Sequence, residues 1–137
     1  MNEIIIRLLK PNGEIVDIKV KHTKTPPWSI ETSFPQLQVI EFKGADLFEC
    51  LCNLRSELDK MGLKMLCNGS RIDAYPSRMS RDMGGARKVY LLRMGQQGRL
   101  EDLVELFDEA PADKIGTVEE QKAFYRKWLD SLGNEGT

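Results

Sequence analysis

Alternating apolar and polar positions near the start of the chain predict a pair of strands. Residues 4–9 and 14–20 are rich in β-branched residues, and in the second run Val16, Ile18 and Val20 alternate with mostly polar neighbours. A period of two gives a strand one apolar and one mostly polar face. The connecting residues 10–13, Lys-Pro-Asn-Gly, combine a proline that presets one turn angle with an Asn-Gly pair that tolerates positive φ. The pattern predicts an N-terminal β-hairpin that covers a core on one side.

A helical period follows in residues 46–61. Apolar residues recur there at every third or fourth position, at Leu47, Leu51, Leu54, Leu58 and Met61. This spacing places them on one face of a helix. Asp46 is suited to cap the start of the helix, and Gly62 to form a left-handed cap at its end.

A second helix is predicted at residues 118–132. The sequence Thr117-Val118-Glu119-Glu120 has the threonine-to-glutamate spacing of a capping box. An apolar residue then repeats every fourth position, at Phe124, Trp128 and Leu132. Gly133 is expected to end the helix, which leaves a frayed tail at about 134–137.

The segments between these elements have shorter patterns. Residues 22–35 are rich in Pro, Ser and Thr and predict a connection, whose Trp28, Ile30 and Phe34 are expected to dock onto the domain. Further strands are predicted at 36–42, 63–67 and 88–94, the last of them central, and one or two helical turns at 76–83. Residues 100–107 are ambiguous, because their apolar residues match helical spacing whereas the end at 104–107 could instead pair as an edge strand. A helix or helical turn at the start is favoured.

Together these elements predict one α/β (α+β) domain with a mixed, largely antiparallel sheet. Its N-terminal hairpin is joined by two main helices at about 46–61 and 118–132. A chain of 137 residues with 41% hydrophobic and 30% charged residues has the length and composition of one globular domain. No apolar run approaches the roughly 20 residues that span a bilayer, and the first residues reach a turn too soon for a secretory signal. We therefore expect a cytoplasmic protein whose three cysteines are reduced.

Charge is distributed unevenly although the net charge is only −1. Residues 71–93 contain six basic residues and two aspartates, a local net charge of +4. Residues 99–120 contain eight acidic and two basic residues, a local net charge of −6, and include Glu105, Asp108 and Glu109. Such asymmetry can steer a charged partner, although a solvated surface on which the two patches partly neutralise each other fits the pattern as well.

The segment 68–88, NGSRIDAYPSRMSRDMGGARK, concentrates arginine, glycine and turn-forming residues between two predicted strands. A loop of this length inside a compact domain is usually functional or disordered. Tyr75, Met79, Met83 and the neighbouring arginines are residue types enriched in the cores of protein interfaces. Gly84-Gly85 could form an anion-binding nest, but the sequence matches no phosphate-loop motif, and a plain turn into the next strand is favoured.

The sequence contains no complete catalytic motif. Cys50, Cys52 and Cys67 lack the paired spacing of a zinc or redox site and are expected to be buried thiols. A Cys52 or Cys67 nucleophile could still meet His22, the only histidine, because catalytic residues need not be sequence neighbours. The carboxylates lack calcium-loop spacing and would have to converge in one pocket to act as an acid and base pair. We expect no enzyme, no metal and no cofactor.

The pattern GLKMLCNGSRIDAYPSRMSRDMGGARKVYLL, at residues 62–92, together with the α/β size and mixed charge, resembles the small bacterial immunity proteins of polymorphic or contact-dependent toxin systems. These families share no catalytic motif. The resemblance implies stoichiometric inhibition of a cognate toxin by covering its active or substrate-binding surface. The acidic 101–120 stretch would attract a Lys- and Arg-rich toxin such as a nuclease. The candidate partner-binding residues are Arg71, Tyr75, Arg78, Arg81, Arg87, Glu105, Asp108 and Glu109.

The alternative is that residues 68–88 bind phosphate or nucleic acid. The arginines would contact phosphates, and Tyr75 or Tyr90 would stack on bases. The near-zero net charge and the acidic residues immediately downstream count against this interpretation.

Overall fold

The computed structural model describes residues 1–33 and 38–135, which form two antiparallel sheets and three α-helices. The strands are β1 (Asn2–Leu9), β2 (Ile15–His22), β3 (Trp28–Thr32), β4 (Ile40–Gly44), β5 (Lys64–Met65), β6 (Ala74–Tyr75), β7 (Lys88–Leu91) and β8 (Leu103–Glu105). The helices are α1 (Leu47–Asp59), α2 (Arg78–Gly84) and α3 (Val118–Glu135). The sheets have the orders β4-β3-β2-β1-β5 and β6-β7-β8. The predicted α/β class and antiparallel pairing are confirmed, although the strands form two sheets instead of one.

The N-terminal hairpin is confirmed. β1 and β2 pair along their whole lengths, from Asn2 opposite His22 to Leu9 opposite Ile15. Gly13 adopts φ +89°, and its NH donates to the Lys10 carbonyl over 2.9 Å, which closes the turn. The apolar face of the hairpin enters the main core with Ile6, Leu8, Ile18 and Val20.

The connection predicted at 22–35 is only partly correct, because β3 lies inside it. β3 pairs with β2 on one side and β4 on the other, and Ile30 is fully buried. Pro26 and Pro27 precede the strand, so they do not interrupt its hydrogen bonds. The predicted strand 36–42 begins only at Ile40 within the described residues, while its first two positions and Phe34 lie outside them.

Helix α1 is confirmed with a shorter C-terminal end. The Asp46 side chain accepts from the NH of Glu49 over 2.8 Å, as expected of a cap. The helix ends at Asp59, so Met61 is exposed and does not belong to the buried face. Gly62 does adopt a left-handed conformation, with φ +70°, in the turn that leads to β5.

The segment 68–88 is not a long loop. It contains a 3-10 turn at Asn68–Ser70, strand β6 and helix α2, and its first residues are buried. The NH groups of Asn68 and Gly69 donate over 2.8 Å to the carbonyls of Asp108 and Leu106, respectively. Strand β7 is central in its sheet, as predicted, and residues 100–107 form a 3-10 turn followed by β8.

Helix α3 starts with the predicted capping box. The NH of Thr117 donates to Glu120 Oε1 over 2.8 Å, and the NH of Glu120 donates to Thr117 Oγ1 over 3.1 Å. The first of these bonds lowers the pKa of Glu120, because it favours the ionised carboxylate. The helix passes Gly133 and continues to Glu135, since a single glycine weakens a helix without breaking it. Residues 136–137 lie outside the described part.

A buried polar network joins α1 to the start of α3. The guanidinium of Arg55, only 2% exposed, donates to the carbonyls of Gly69 and Gly116 and to Gln121 Oε1 over 2.7–3.1 Å. The amide of Gln121 in turn donates to the carbonyls of Gly69 and Arg71 over 2.9 Å. Arg55 therefore connects three segments that are distant in sequence, and local sequence patterns do not predict its acceptors.

Candidate protein-binding surface

A shallow groove of about 650 Å³ lies beside α2, β7 and β8. We call it the α2 groove, and its apolar lining consists of Met79, Met83, Tyr90, Leu100 and Leu103. Met79, Met83 and Leu100 are 71%, 83% and 82% exposed. Single exposed apolar residues are common, but several around one groove indicate a contact surface.

Short-range contacts hold α2 against the sheet. Ser77 caps the helix by accepting from the NH of Ser80 over 3.0 Å. The Ser80 hydroxyl donates to the Lys88 carbonyl of β7 over 2.9 Å, which fixes one side of the helix to the strand. Met79 and Met83 are four residues apart and therefore share a helix face, which borders the groove.

The glycine pair that ends α2 provides a test of how the groove is built. Gly85 has φ +65°, and a Cβ there would overlap the ring of Trp28, whereas a Cβ on Gly84 would meet nothing within 4 Å. Gly85→Ala should lower the free energy of unfolding by about 1–3 kcal/mol, because it adds backbone strain and overpacking. The matched change Gly84→Ala should leave it unchanged or raise it by up to ~1 kcal/mol. Urea unfolding of both variants measures the difference, and equal effects would contradict the packing of Trp28 on Gly85.

An aromatic pocket of about 400 Å³ adjoins the α2 groove, since Ser77 and Tyr90 line both. It is lined by all three tyrosines of the chain, Tyr75, Tyr90 and Tyr125, and by Trp128. The rings of Tyr75 and Tyr125 stack with centroids 3.8 Å apart. Trp128 Nε1 donates to the Gln96 carbonyl over 2.8 Å, which ties α3 to the residues after β7.

Four of the eight predicted partner-binding residues border the groove or the pocket. Tyr75 and Arg78 line the pocket, and Arg87 and Glu105 line the groove. Arg78 and Arg87 are exposed and form no ion pair within residues 1–33 and 38–135. Glu105 pairs with Lys88 over 3.8 Å. The two arginines are therefore available to a partner.

Arg71 and Arg81 are engaged within the fold. Arg71 makes two hydrogen bonds of 2.8 and 2.9 Å to the Asp73 carboxylate. Arg81 pairs with buried Asp46 over 3.4 Å, and its guanidinium lies 5.4 Å from the ring centroid of Tyr75. Both side chains are mostly buried. Arg71 stabilises its own short segment, and Arg81 links α2 to the start of α1.

Asp108 and Glu109 line neither the groove nor the pocket. The backbone of Glu109 bridges to Cys67, and its carboxylate pairs with Arg7 over 2.8 Å. The predicted charged residues therefore do not all lie around the groove and pocket.

Leu100, Leu103, Tyr125 and Trp128 belong to the surface but were absent from the predicted set. One signal was present in the sequence: Leu100 stands as an apolar residue between Arg99 and Glu101. The two aromatic residues of α3 gave no such signal, because apolar helical spacing is equally typical of a buried face.

The thiols and the histidine do not form a reactive pair in this structure. Cys67 is buried, with Sγ 3.4 Å from Ser70 Oγ, and burial raises the pKa of both Cys67 and Cys52. Burial, aided by nearby Asp46, raises the pKa of Cys50 to about 12. His22 was predicted to start a connection, but it ends β2, where it is buried against Phe107 with centroids 4.9 Å apart. All three thiols are therefore protonated at neutral pH.

The Gly84-Gly85 turn has the geometry of a helix end. The NH groups of Gly85 and Ala86 both donate to the Ser80 carbonyl, and the NH of Arg87 donates to the Gly84 carbonyl over 3.3 Å. These are the groups that an anion-binding nest would present. Here they already have acceptors, and the turn leads directly into β7.

The sequence matches no protein-family model and no curated protein. Among the helices of residues 1–33 and 38–135, none has the length and apolarity to cross a bilayer. The same residues contain no cluster of three or more His, Cys, Asp or Glu side chains placed to hold a metal ion. A functional proposal therefore depends on the chemistry of the groove and the pocket.

Proposed function

We propose that this chain is a bacterial immunity protein that acts in the cytoplasm and neutralises a cognate protein toxin. It covers the active or substrate-binding surface of the toxin, and the α2 groove and the aromatic pocket make the contact. It performs no turnover. A nuclease, which the acidic 101–120 stretch would attract, is one toxin of this kind.

The observation that carries the proposal is the exposure of Met79, Met83 and Leu100 beside an aromatic pocket. Burying apolar surface in a complex stabilises it by roughly 25 cal/mol per Å² before the costs of association. Methionine, tyrosine, tryptophan and arginine are also the residues enriched at interface centres. The surface thus combines a source of affinity with residues suited to recognition.

Electrostatics supports contact through the groove more than through the acidic 101–120 stretch. Several acids of that stretch are already paired, Glu101 with Arg99, Glu105 with Lys88 and Glu109 with Arg7, over 2.8–3.8 Å. Paired charges attract a distant partner less than free ones do. Arg78 and Arg87 keep their full charge beside the apolar lining.

Co-expression with the product of the gene immediately upstream tests the proposal, because immunity genes generally follow their toxin gene. The upstream product alone should arrest growth, and the present protein should restore it. The purified pair should elute as a 1:1 complex in size-exclusion chromatography. Growth arrest that persists despite soluble protein, or a harmless upstream product, would contradict toxin neutralisation. Oligonucleotide binding that falls steeply with added salt would favour the nucleic-acid alternative instead.

A further inference from the structure

We infer, on the basis of the proposed function, that the toxin segment seated in the groove and pocket is acidic. It presents a large apolar side chain to the aromatic pocket and flanking carboxylates to Arg78 and Arg87. This charge is opposite to that of the basic partner that the acidic 101–120 stretch would attract.

Solvent-accessible hydrogen-bond donors line the pocket. The hydroxyls of Tyr75, Tyr90 and Tyr125 and the Arg78 guanidinium donate to no protein acceptor within residues 1–33 and 38–135, and none of these groups is buried without a partner. Burial raises the pKa of Tyr75, which keeps its hydroxyl protonated and able to donate. A ligand that supplies several acceptors can replace water at these donors, and a carboxylate supplies the most acceptors per side chain.

The charged residues that line the α2 groove and the aromatic pocket also favour an acidic segment. Three cations, Arg78, Arg87 and Lys88, lie there with a single carboxylate, Glu105, which Lys88 already pairs. A basic partner segment would bring its own cations against Arg78 and Arg87 and remove water from both. Like charges brought together in this way oppose binding, whereas carboxylates form charge-assisted hydrogen bonds with guanidinium groups.

The arrangement of the rings favours a protein side chain over a stacked nucleobase. The Tyr75 ring is covered by Tyr125 at 3.8 Å and has the Arg81 guanidinium 5.4 Å from its centroid. Tyr125 and Arg81 already contact this ring, so Tyr75 offers a base less free stacking surface than an uncovered ring would. Ring edges carry partial positive charge, which suits a carboxylate beside an apolar anchor.

Selection of displayed peptides on the intact protein tests the inference. Phage carrying short random peptides are panned at low ionic strength, and enriched peptides are synthesised and titrated calorimetrically. Enriched sequences should combine Asp or Glu with a large apolar residue. Their affinity should fall roughly 10-fold or more in the Arg78→Glu, Arg87→Glu double variant. Both side chains are exposed, and the change removes one exposed hydrogen bond, from Arg87 Nε to the Gly84 carbonyl over 3.2 Å, so the urea concentration at the midpoint of unfolding should change little.

The control is the Lys19→Glu, Lys21→Glu double variant, which makes the same change of net charge on exposed positions of β2. It should bind the peptides as the wild type does. Enrichment of basic peptides, absence of enrichment, equal losses in the two double variants, or displacement of the peptides by a single-stranded oligonucleotide would overturn the inference. Acidic peptides that bind as expected while the upstream toxin is not neutralised would contradict toxin neutralisation but support an acidic partner segment. Neutralisation that survives the Arg78→Glu, Arg87→Glu change would support toxin neutralisation but contradict an acidic segment at this surface.

Discussion

Replacement of Arg55 by alanine should lower the free energy of unfolding by about 3–5 kcal/mol. The guanidinium is buried and donates to two glycine carbonyls and to Gln121 Oε1. Alanine would leave the Gly116 carbonyl and the Gln121 oxygen without these donors, and each unsatisfied buried group costs about 1–3 kcal/mol. It would also leave a cavity between α1 and the start of α3.

Urea unfolding followed by circular dichroism measures this loss. Arg55→Lys keeps the charge but has fewer donors with a different geometry, so its stability should lie between those of the wild type and the alanine variant. The matched control is Arg7→Ala, which removes an exposed arginine paired with Glu109 and should cost less than about 1 kcal/mol. Equal effects of Arg55→Ala and Arg7→Ala would show that the buried network does not stabilise the fold.

The elements predicted correctly are those whose signals lie within a few consecutive residues. The hairpin follows from alternation and the Asn-Gly turn, and the start of α3 follows from the spacing of Thr117 and Glu120. Residues 100–107 fitted both a helix and a strand because they contain a 3-10 turn and then β8. Local backbone preference and local hydrogen bonds determine such elements, so one sequence is enough to predict them.

The missed features depend on contacts between distant parts of the chain. β3 is a strand because β2 and β4 flank it, while its local composition is dominated by the prolines that precede it. Arg55 did leave a trace, because it lies between Leu51 and Leu58 at the spacing of the buried face of α1. A charged residue in an apolar helical stripe predicts a buried polar contact. Its acceptors on Gly116 and Gln121 could not be identified from the helix alone.

The sequence indicates which types of residue form the candidate site, but it does not indicate how they are arranged in space. Methionine, tyrosine and arginine in segment 68–88 indicated a contact surface, and the structure places Met79 and Met83 around a groove. Arg78 and Arg81 look equivalent in sequence, yet only Arg81 faces a buried carboxylate, that of Asp46. The ion pair needs α1 and α2 to meet, which no local pattern encodes.

The second large effect is expected from Met83→Asp. Met83 is 83% exposed in the free protein, so aspartate should not change its stability by more than about 0.5 kcal/mol. In the complex the same side chain is proposed to lie at the apolar centre of the interface, where an unpaired carboxylate would lose its water. The Kd for the partner should therefore rise by about 100-fold or more, mainly through faster dissociation. Surface plasmon resonance with the purified upstream product measures both rates, and co-expression should show loss of growth protection.

Ile5→Asp is the matched control for Met83→Asp. Ile5 is also an exposed apolar residue, at 57%, but it lies on β1 in the other sheet, opposite Lys19 of β2. The same aspartate there adds the same charge and removes a comparable exposed apolar side chain, and it should leave the Kd unchanged. If both variants weaken binding equally, the loss reflects net charge or general solubility and the α2 groove is not the contact. If Met83→Asp leaves the Kd unchanged, the exposed methionine does not enter the interface, and the partner binds elsewhere on the chain.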